Sequence, residues 1–269
     1  MNILKSIHGR ILGYGQRDAS GRNPVIAAGG LVSGVNGAQR RIGDQKYVEL
    51  FDDFLGDVIA DQWHLLEGTD STETNAAVLA GGIGGQLRIT TGDAGTGLAA
   101  DMAQVTGGLL QWQASNGDLI MEARIKLSAI TTCYVFVGFT DLAATLEAPI
   151  ESAASANTLT SNATDAVGFM FDTRMTDDKW WLVGVKANTD ATHENTGYAP
   201  VADTFETLRI EVTAEGVATF YRNGVPVGSP MTAAITPGTD LTPTINVSKT
   251  SVAASMTAEV DYVHVSMAR

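Results

Sequence analysis

The chain has 269 residues, of which 44% are hydrophobic and 17% charged, and its 17 Lys/Arg and 30 Asp/Glu give a formal net charge of −13 at pH 7. This length accommodates one large β-sandwich with an appendage, or two small domains. A single cysteine, Cys133, excludes an internal disulfide framework and a cysteine-based zinc cluster. The acidic balance repels the phosphate backbone, so nucleic acid is not an expected partner.

Charge and glycine set residues 1–46 apart from the rest of the chain. This segment holds seven Lys/Arg and two Asp, whereas the remaining residues hold 10 basic and 28 acidic side chains. Nine glycines interrupt every helix or strand period in it, and its apolar residues occur in short groups. The pattern predicts an extended basic N-terminal arm that is ordered by packing on a partner. A flexible tail and a β-meander at the domain edge are the alternatives.

The residues of the arm that we expect to contact a partner combine its arginines with its apolar groups. They are Arg10, Ile11, Leu12, Arg17, Arg22, Val25, Ile26, Arg40 and Arg41.

The first residues of the chain predict neither a signal peptide nor a membrane anchor. Lys5 is basic, but no apolar segment of roughly 7–15 residues follows it. No stretch approaches the roughly 18 apolar residues of a membrane span. We therefore expect a protein that is made in the cytosol, without an encoded export route and without a membrane partner.

Residues 47–269 are predicted to form one antiparallel β domain. The segment 119–127 shows the clearest alternation in the chain, with Met121, Ala123, Ile125 and Leu127 on one face and Glu122, Arg124 and Lys126 on the other. Asn223-Gly224 lies between two apolar runs, which is the strongest short-range signal for a hairpin because both central residues of a type I′ turn have positive φ. The predicted strands are 47–51, 62–66, 87–91, 99–104, 109–113, 119–127, 133–139, 166–171, 179–186, 208–213, 217–222, 225–227, 241–248 and 258–266.

Two long segments between the strands are predicted to be surface loops. Residues 143–164 are rich in Ala, Ser, Thr and Asn, and residues 228–242 contain Pro230 and Pro237. The apolar run 133–139 predicts a strand in the middle of a sandwich. Cys133, which lies inside it, is interpreted as a buried structural thiol.

Three sequence segments resemble the concanavalin A-like jelly roll that legume lectins, laminin G-like modules and family 16 glycoside hydrolases share. The opening Phe51-Asp52-Asp53-Phe54 with Trp63 is similar to the start of those domains. The hairpin around Asn223-Gly224 resembles their late strand pair, and Asp261-Tyr262-Val263-His264-Val265 resembles their last strand. The resemblance covers about residues 47–269. It implies an all-β, antiparallel jelly-roll β-sandwich.

The sequence contains no recognisable catalytic motif. Family 16 hydrolases carry Glu-x-Asp-x-x-Glu, and retaining catalysis needs carboxyl groups about 5–5.5 Å apart. The nearest string here runs from Glu259 through Asp261 to His264, so its last position is a histidine. The His193–Gly197 segment lacks the second histidine of a zinc protease, the glycine runs lack a phosphate-loop lysine, and no Gly-x-Ser-x-Gly elbow occurs. We predict no enzyme activity, no catalytic residue and no cofactor.

Aromatic and acidic residues leave two binding alternatives open. Trp112, Trp180, Trp181 and Tyr198 offer stacking faces for a carbohydrate, although sandwich core is the competing interpretation. Adjacent tryptophans on a strand face opposite sides, so one of Trp180 and Trp181 is expected to be exposed. Turn aspartates at 52, 53, 57, 61, 177 and 178 supply oxygens for calcium but lack ligand spacing, so no metal site is predicted.

Taken together, these features resemble a structural protein of a tailed-bacteriophage virion. The resemblance implies a non-enzymatic capsid-decorating (head auxiliary) protein, located in the virion and made in the host cytoplasm. Its arm would fasten the sandwich to the major capsid protein, to other virion subunits or to sister subunits, with a homotrimer as the favoured oligomer. The alternative is a carbohydrate-binding receptor module of a phage tail or fibre, with a surface glycan as partner. A cytosolic or atypically secreted lectin or glycan-active enzyme is the third class.

Overall fold

A computed structural model describes residues 31–33, 39–41, 46–70, 74–79, 84–93, 97–153 and 157–269. The chain divides into two units, Met1–Val48 and Glu49–Arg269. In the first unit, strand β1 (Leu31–Ser33) pairs antiparallel with β2 (Gln39–Arg41). The arm residues Arg10, Ile11, Leu12, Arg17, Arg22, Val25 and Ile26 lie outside the described residues.

The second unit is built from short antiparallel strands and contains, among the described residues, one short α-helix, α1 (Leu98–Asp101), and one 3-10 helix (Ala114–Asn116). The strands are β3 (Tyr47–Asp52), β4 (His64–Glu67), β5 (Asn75–Val78), β6 (Leu87–Thr90), β7 (Ala103–Thr106), β8 (Leu119–Leu127), β9 (Cys133–Thr140), β10 (Ile150–Ser152), β11 (Leu159–Ser161), β12 (Ala166–Asp172), β13 (Trp181–Lys186), β14 (Thr189–Asp190), β15 (Glu194–Asn195), β16 (Glu206–Val212), β17 (Ala218–Arg222), β18 (Val225–Met231), β19 (Thr242–Lys249) and β20 (Thr257–Ala268).

Two eight-stranded sheets form a sandwich. The first, sheet I, has the order β14–β13–β12–β9–β19–β7–β4, and β15 also pairs with β13. The second, sheet II, has the order β18–β17–β16–β8–β20–β6–β5, and β3 pairs with β20. Strands that are distant in sequence are neighbours in both sheets, which is the connectivity expected of a jelly roll. The predicted all-β, antiparallel jelly-roll β-sandwich is confirmed.

Aromatic side chains join the two sheets at the centre of the sandwich. Phe169 of sheet I and Phe220 of sheet II meet edge to face, with ring centroids 5.4 Å apart. The Trp180 ring lies 6.2 Å from Phe169, and all three side chains are fully buried. Edge-to-face contacts of this kind add to the free energy gained from burying apolar surface.

The two sheets differ in how they expose their outer faces. In sheet II, β8 alternates buried and half-buried residues, as the sequence predicts for a strand with one solvent-facing side. In sheet I, every residue of β7, β9, β12 and β19 is buried. Both faces of sheet I are therefore covered by other parts of the chain.

The cover over the outer face of sheet I is the segment 141–163, here called the cover segment. It contains the β10–β11 hairpin, and its residues 154–156 lie outside the described part of the chain. Its buried side chains pack with Tyr134, Phe136 and Met170 in one apolar cluster. The cover residues of this cluster are Ala148, Ile150, Leu159 and Ala163, with Leu142 and Leu146 partly buried against it.

A glycine in sheet I leaves room for an aromatic ring beneath the cover segment. A Cβ on Gly168 would lie 2.6 Å from the Phe136 ring, which is closer than real Cβ atoms approach. The absent side chain therefore provides the space that the Phe136 ring occupies on the sheet surface, where it is fully buried.

Several predicted elements differ from the observed ones. Residues 143–164 are not a surface loop, because small side chains there pack closely on an apolar sheet face. The predicted strand 99–104 is replaced by α1 and the start of β7. Residues 109–113 form no strand, since Leu109 and Leu110 are exposed and only Trp112 makes a bridge, to Leu241. Strand β18 continues to Met231, into the predicted second loop.

Removing the central aromatic contact should destabilise the sandwich. Phe220→Ala leaves a cavity opposite Phe169, and we expect the free energy of unfolding to fall by about 3–5 kcal/mol. Tyr221→Ala is the matched control, because the adjacent side chain points to the outer face of sheet II and should change stability by less than about 1 kcal/mol. Urea denaturation followed by tryptophan fluorescence measures both. Equal losses in the two variants would contradict this account of the core.

Candidate functional site

The cover segment is held to sheet I by side chains that bond its backbone. The Tyr134 hydroxyl donates to the Ile150 carbonyl at 2.8 Å, and Asp172 Oδ2 accepts from the Ser152 amide at 3.0 Å. These bonds satisfy backbone groups of the β10 strand that are buried away from water. Burial, followed by the negative charge of Asp172, raises the pKa of Tyr134 well above its ordinary value, so the hydroxyl stays protonated as a donor.

A second row of contacts lies further along the same face. Asn246 Nδ2 donates to Gln104 Oε1 at 2.9 Å and to the Glu147 carbonyl at 3.2 Å, while Thr244 donates to Asn246 Oδ1 at 2.8 Å. Gln104 in turn donates to the Leu142 carbonyl at 3.4 Å. The polar side chains of this face are thus used in holding the protein's own chain.

An ion pair network closes one end of the cover. Arg174 donates to Asp172 Oδ2 at 2.7 Å and to Glu151 Oε2 at 2.9 Å, and Asp172 is fully buried. Burial opposes the positive charge of Arg174, but its hydrogen bonds to Asp172 and Glu151 outweigh burial and raise its pKa. A buried carboxylate that is compensated in this way is a structural group, since its charge is already neutralised.

Two carboxylates meet at the cover segment, those of Asp172 and Glu151, and the same Arg174 guanidinium nitrogen bonds both of them. Among the strands β7, β9, β12, β13 and β19, Asp172 at the end of β12 is the one acidic residue. One surface depression of about 240 Å³ lies beside Glu194 and Ser229, and another of about 260 Å³ lies beside Asp118 and Glu211, at one end of the strands β8, β16 and β17. Both volumes are below the roughly 300–1,000 Å³ of typical ligand pockets.

The string from Glu259 to His264 lies on β20 of sheet II, and its carboxylates are engaged in ion pairs. Glu259 bonds Arg88 at 2.8 Å and Lys126 at 2.5 Å, and Asp261 bonds Arg124 at 2.6 Å. Burial raises the pKa of Glu259, but the hydrogen bonds from Lys126 and Arg88 outweigh it, so the pKa lies below its ordinary value. A general acid needs a raised pKa, and Glu259 has the opposite shift.

The outer face of sheet II is a charged, partly exposed surface. Arg209 pairs with Glu211 at 2.5 Å and lies 3.7 Å from Glu122, to which the Tyr262 hydroxyl donates at 2.7 Å. Burial and the hydrogen bond to Glu122 raise the pKa of Tyr262 to about 12. The ring of Phe205 packs under Arg124 and Lys126, with centroid distances of 4.3 and 4.9 Å. The Arg209–Glu211 pair, in which each side chain is more than a third exposed, contributes little to stability and keeps the face hydrophilic.

Three of the four aromatic residues predicted to contact carbohydrate are buried. Trp112 and Trp181 are each 5% exposed and Trp180 is fully buried, whereas Tyr198 is 52% exposed. The expectation that one of Trp180 and Trp181 is exposed is wrong. Trp181 belongs to the apolar cluster under the cover segment and packs against His193, because both faces of sheet I are covered.

Tyr198 lies beside a hydrogen-bonded chain that the sequence did not reveal. Trp180 Nε1 donates to Glu206 Oε1 at 2.8 Å, and Arg222 Nε donates to Glu206 Oε2 at 2.5 Å. The Arg222 guanidinium carbon lies 5.0 Å from the centroid of the Tyr198 ring. One sequence signal could have found this chain, since Glu206 occupies an inward position in an alternating strand and therefore needs a buried partner.

The remaining predicted sites are placed as follows. Arg40 and Arg41 pair through their backbones with Val32 and Leu31 in the β1–β2 hairpin. Asp52 accepts hydrogen bonds from Phe54 N and Trp63 Nε1 and so organises the first turn of the body. Within the described ranges, no group of three or more His, Cys, Asp or Glu side chains is arranged to hold a metal ion. None of the helices described there is long and apolar enough to cross a membrane.

Cys133 is buried and carries no disulfide, as predicted for a structural thiol. Burial is the main cause that raises its pKa to about 12, against a smaller opposing effect of Lys249. The thiolate that a nucleophile requires is therefore disfavoured.

Comparison with known proteins identifies the fold. No protein-family model matches the chain, and no curated protein sequence is similar to it. Among solved structures, it is similar to a prokaryotic β-1,3-1,4-glucanase (lichenase) derived from a mouse hindgut metagenome, with 12% identity, a TM-score of 0.54 and coverage of 81% of this chain and 98% of that one. At such identity the similarity shows a shared fold and not a shared activity.

Two further structures have other activities. An endo-acting O-glycanase of the human gut microbiota, from work on mucin breakdown, is 10% identical with a TM-score of 0.56, and the match covers 82% of this chain and 98% of that one. The carbohydrate recognition domain of Emp47p is 11% identical with a TM-score of 0.52, and the match covers 82% and 94%. The sandwich described here is thus shared by glycan-cleaving and glycan-binding proteins.

Loss of the Tyr134 hydroxyl should weaken the attachment of the cover segment. Tyr134→Phe leaves the buried Ile150 carbonyl without its donor, and we expect a loss of about 1–3 kcal/mol in the free energy of unfolding. Hydrogen exchange of the cover backbone should accelerate at the same time. Tyr221→Phe is the matched control, since its hydroxyl bonds the partly exposed Glu211. Unchanged exchange in Tyr134→Phe would contradict a pinned cover segment.

The ion pairs of Glu259 should stabilise the fold in a pH-dependent manner. Because its pKa is lower in the folded than in the unfolded chain, this stabilisation is present above the unfolded value near 4.5 and is lost as the pH falls through the folded value. We expect Glu259→Gln to lower the free energy of unfolding by about 1–3 kcal/mol at pH 7 and by much less near pH 3. Urea denaturation at both pH values measures this.

Glu215→Gln, at an exposed turn, is the control for the pH experiment and should have little effect at either pH. A Glu259→Gln defect of the same size at both pH values would mean that packing, and not charge, is what the glutamate supplies.

Proposed function

We propose that this protein is a non-enzymatic structural component of a tailed-phage virion, which decorates the capsid and is fastened by residues 1–46. One observation carries the non-enzymatic part of the proposal. The cover segment fills the outer face of sheet I, and the polar side chains beneath it bond the protein's own backbone. A sandwich filled in this way provides a stable body and leaves binding to its edges, its ends and its N-terminal segment.

Charge supports the assignment of the fastening role to residues 1–46. The segment holds seven Lys/Arg and two Asp, while the rest of the chain has an excess of acidic residues. A basic segment is attracted to an acidic protein lattice, and an acidic body is repelled by nucleic acid. The proposed partners are the major capsid protein, other virion subunits or sister subunits in a homotrimer.

Deletion of residues 1–46 tests this proposal. The deletion leaves β3 and both sheets of the sandwich intact, so we expect a folded body with an unchanged near-ultraviolet circular dichroism spectrum. Its attachment to capsids that lack the protein should fall to background in a co-sedimentation assay. Attachment of the truncated body at full occupancy would overturn the fastening role.

A charge variant separates the two kinds of contact that the segment offers. It keeps all 269 residues and replaces Arg10, Arg17, Arg22, Arg40 and Arg41 by glutamine. If charge attracts the segment to the lattice, attachment of this variant should weaken and lose its dependence on salt concentration. If the variant attached as strongly as the wild-type protein, the apolar groups of the segment, and not its arginines, would be the anchor.

The second candidate function is a carbohydrate-binding receptor module of a phage tail or fibre. The exposed ring of Tyr198 favours it, because the other predicted stacking residues are buried and this one is not. The fold is also that of a carbohydrate recognition domain among the similar structures. The same filled sandwich is compatible with this function, provided that the glycan binds away from the covered sheet.

A further inference from the structure

We infer that the end of the sandwich around Tyr198 is a saccharide-binding site, in which the tyrosine ring is a fixed stacking platform. This inference rests on the second candidate function and gives it a location. The site lies where the loop that follows β15 meets the end of β17, since Tyr198 belongs to that loop and Arg222 ends that strand.

The backbone around Tyr198 is fixed by hydrogen bonds. Trp180 N donates to the Tyr198 carbonyl at 2.8 Å, and Thr196 N donates to the Trp180 carbonyl at 3.0 Å. Gly197 has a φ of 78° and donates its amide to Asn195 Oδ1 at 2.8 Å. The loop that carries the ring is thereby attached to the end of sheet I, so the position of the ring is set before any ligand arrives.

The ring itself is supported from the core. Glu206, which is 5% exposed, accepts hydrogen bonds from the buried Trp180 and from Arg222, and Arg222 lies over the Tyr198 ring. A guanidinium held by a buried carboxylate has little freedom to move, and its cation–π contact orients the ring. About half of the Tyr198 surface remains exposed despite this support.

An exposed ring that is already oriented is suited to binding a sugar. A pyranose presents a flat set of C–H groups that packs on an aromatic face, and its hydroxyls need polar partners at the rim. Those partners are present here, because Arg222 is part of the platform and Asn195 Nδ2 bonds Asp177 Oδ2 at 3.1 Å beside the same loop. Tyrosine gives such contacts at a low cost in conformational entropy, and preorganisation lowers it further.

The apolar neighbours of the platform are also exposed. Val201 follows Tyr198 on the same segment and is 58% exposed. Val225, which pairs directly with Arg222 across the β17–β18 hairpin, is 62% exposed. The surface therefore combines an aromatic ring and two exposed aliphatic side chains with the polar groups of Arg222, Asn195 and Asp177.

A glycan array probed with the full-length protein tests the inference, followed by calorimetric titration of the strongest saccharide. We expect binding that weakens at least about tenfold in Tyr198→Ala and persists in Tyr198→Phe, which keeps the ring. Tyr221→Ala is the matched control, since that tyrosine also lies under an arginine, at 5.9 Å, but on the outer face of sheet II. The thermal unfolding midpoint of each variant verifies that the fold is retained.

The possible outcomes distinguish an error in the location of the site from an error in the carbohydrate-binding function. Equal binding by wild type and Tyr198→Ala would overturn this location and leave the carbohydrate-binding candidate standing. Absence of binding by the wild-type protein across the array would overturn both. Neither outcome affects the capsid proposal, which the deletion of residues 1–46 tests separately.

Discussion

Burial of both faces of sheet I is the constraint on which the rest of the second unit depends. One face packs on sheet II through Phe169, and the other carries Tyr134, Phe136 and Met170, which are too large and apolar to be left in water. Each such side chain contributes about 1.5–3 kcal/mol when it is buried, so a sheet with two apolar faces is stable only between two layers. Sheet II supplies one layer, and the cover segment has to supply the other.

The cover segment can fill this role because of its composition. Its residues are mostly small, and small side chains let a backbone approach a sheet surface closely, as Ala148 and Ala163 do. Close approach buries carbonyl and amide groups of the segment, and each of these needs a partner. Tyr134, Asp172 and Asn246 provide those partners from the sheet. The polar residues of the covered face are therefore explained by the presence of the cover.

The sequence predicts the strands whose side chains alternate clearly. It does not predict the contacts between segments that are distant along the chain. The alternation in β8 and the Asn223-Gly224 turn identified their elements, because each signal is local. The composition of the cover segment predicts a surface loop, because alanine, serine and threonine are equally common in loops and in tightly packed layers. The apolar residues Leu109 and Leu110 led to the prediction of a strand at 109–113, but both are exposed, since hydrophobicity alone does not determine which side chains a fold buries.

The candidate site shows that the sequence also does not determine which aromatic side chains are exposed. The sequence identified Trp180, Trp181 and Tyr198 as aromatic, but stacking on a ligand needs an exposed and oriented ring, and only the tertiary fold determines both. Trp180 is buried and donates a hydrogen bond to Glu206. Glu206 in turn holds Arg222, which lies over the exposed ring of Tyr198. A buried indole can thus help to orient an exposed ring through the side chains that lie between them. For this reason, replacing Trp180 would disturb both the core and the platform, whereas replacing Tyr198 addresses the platform alone.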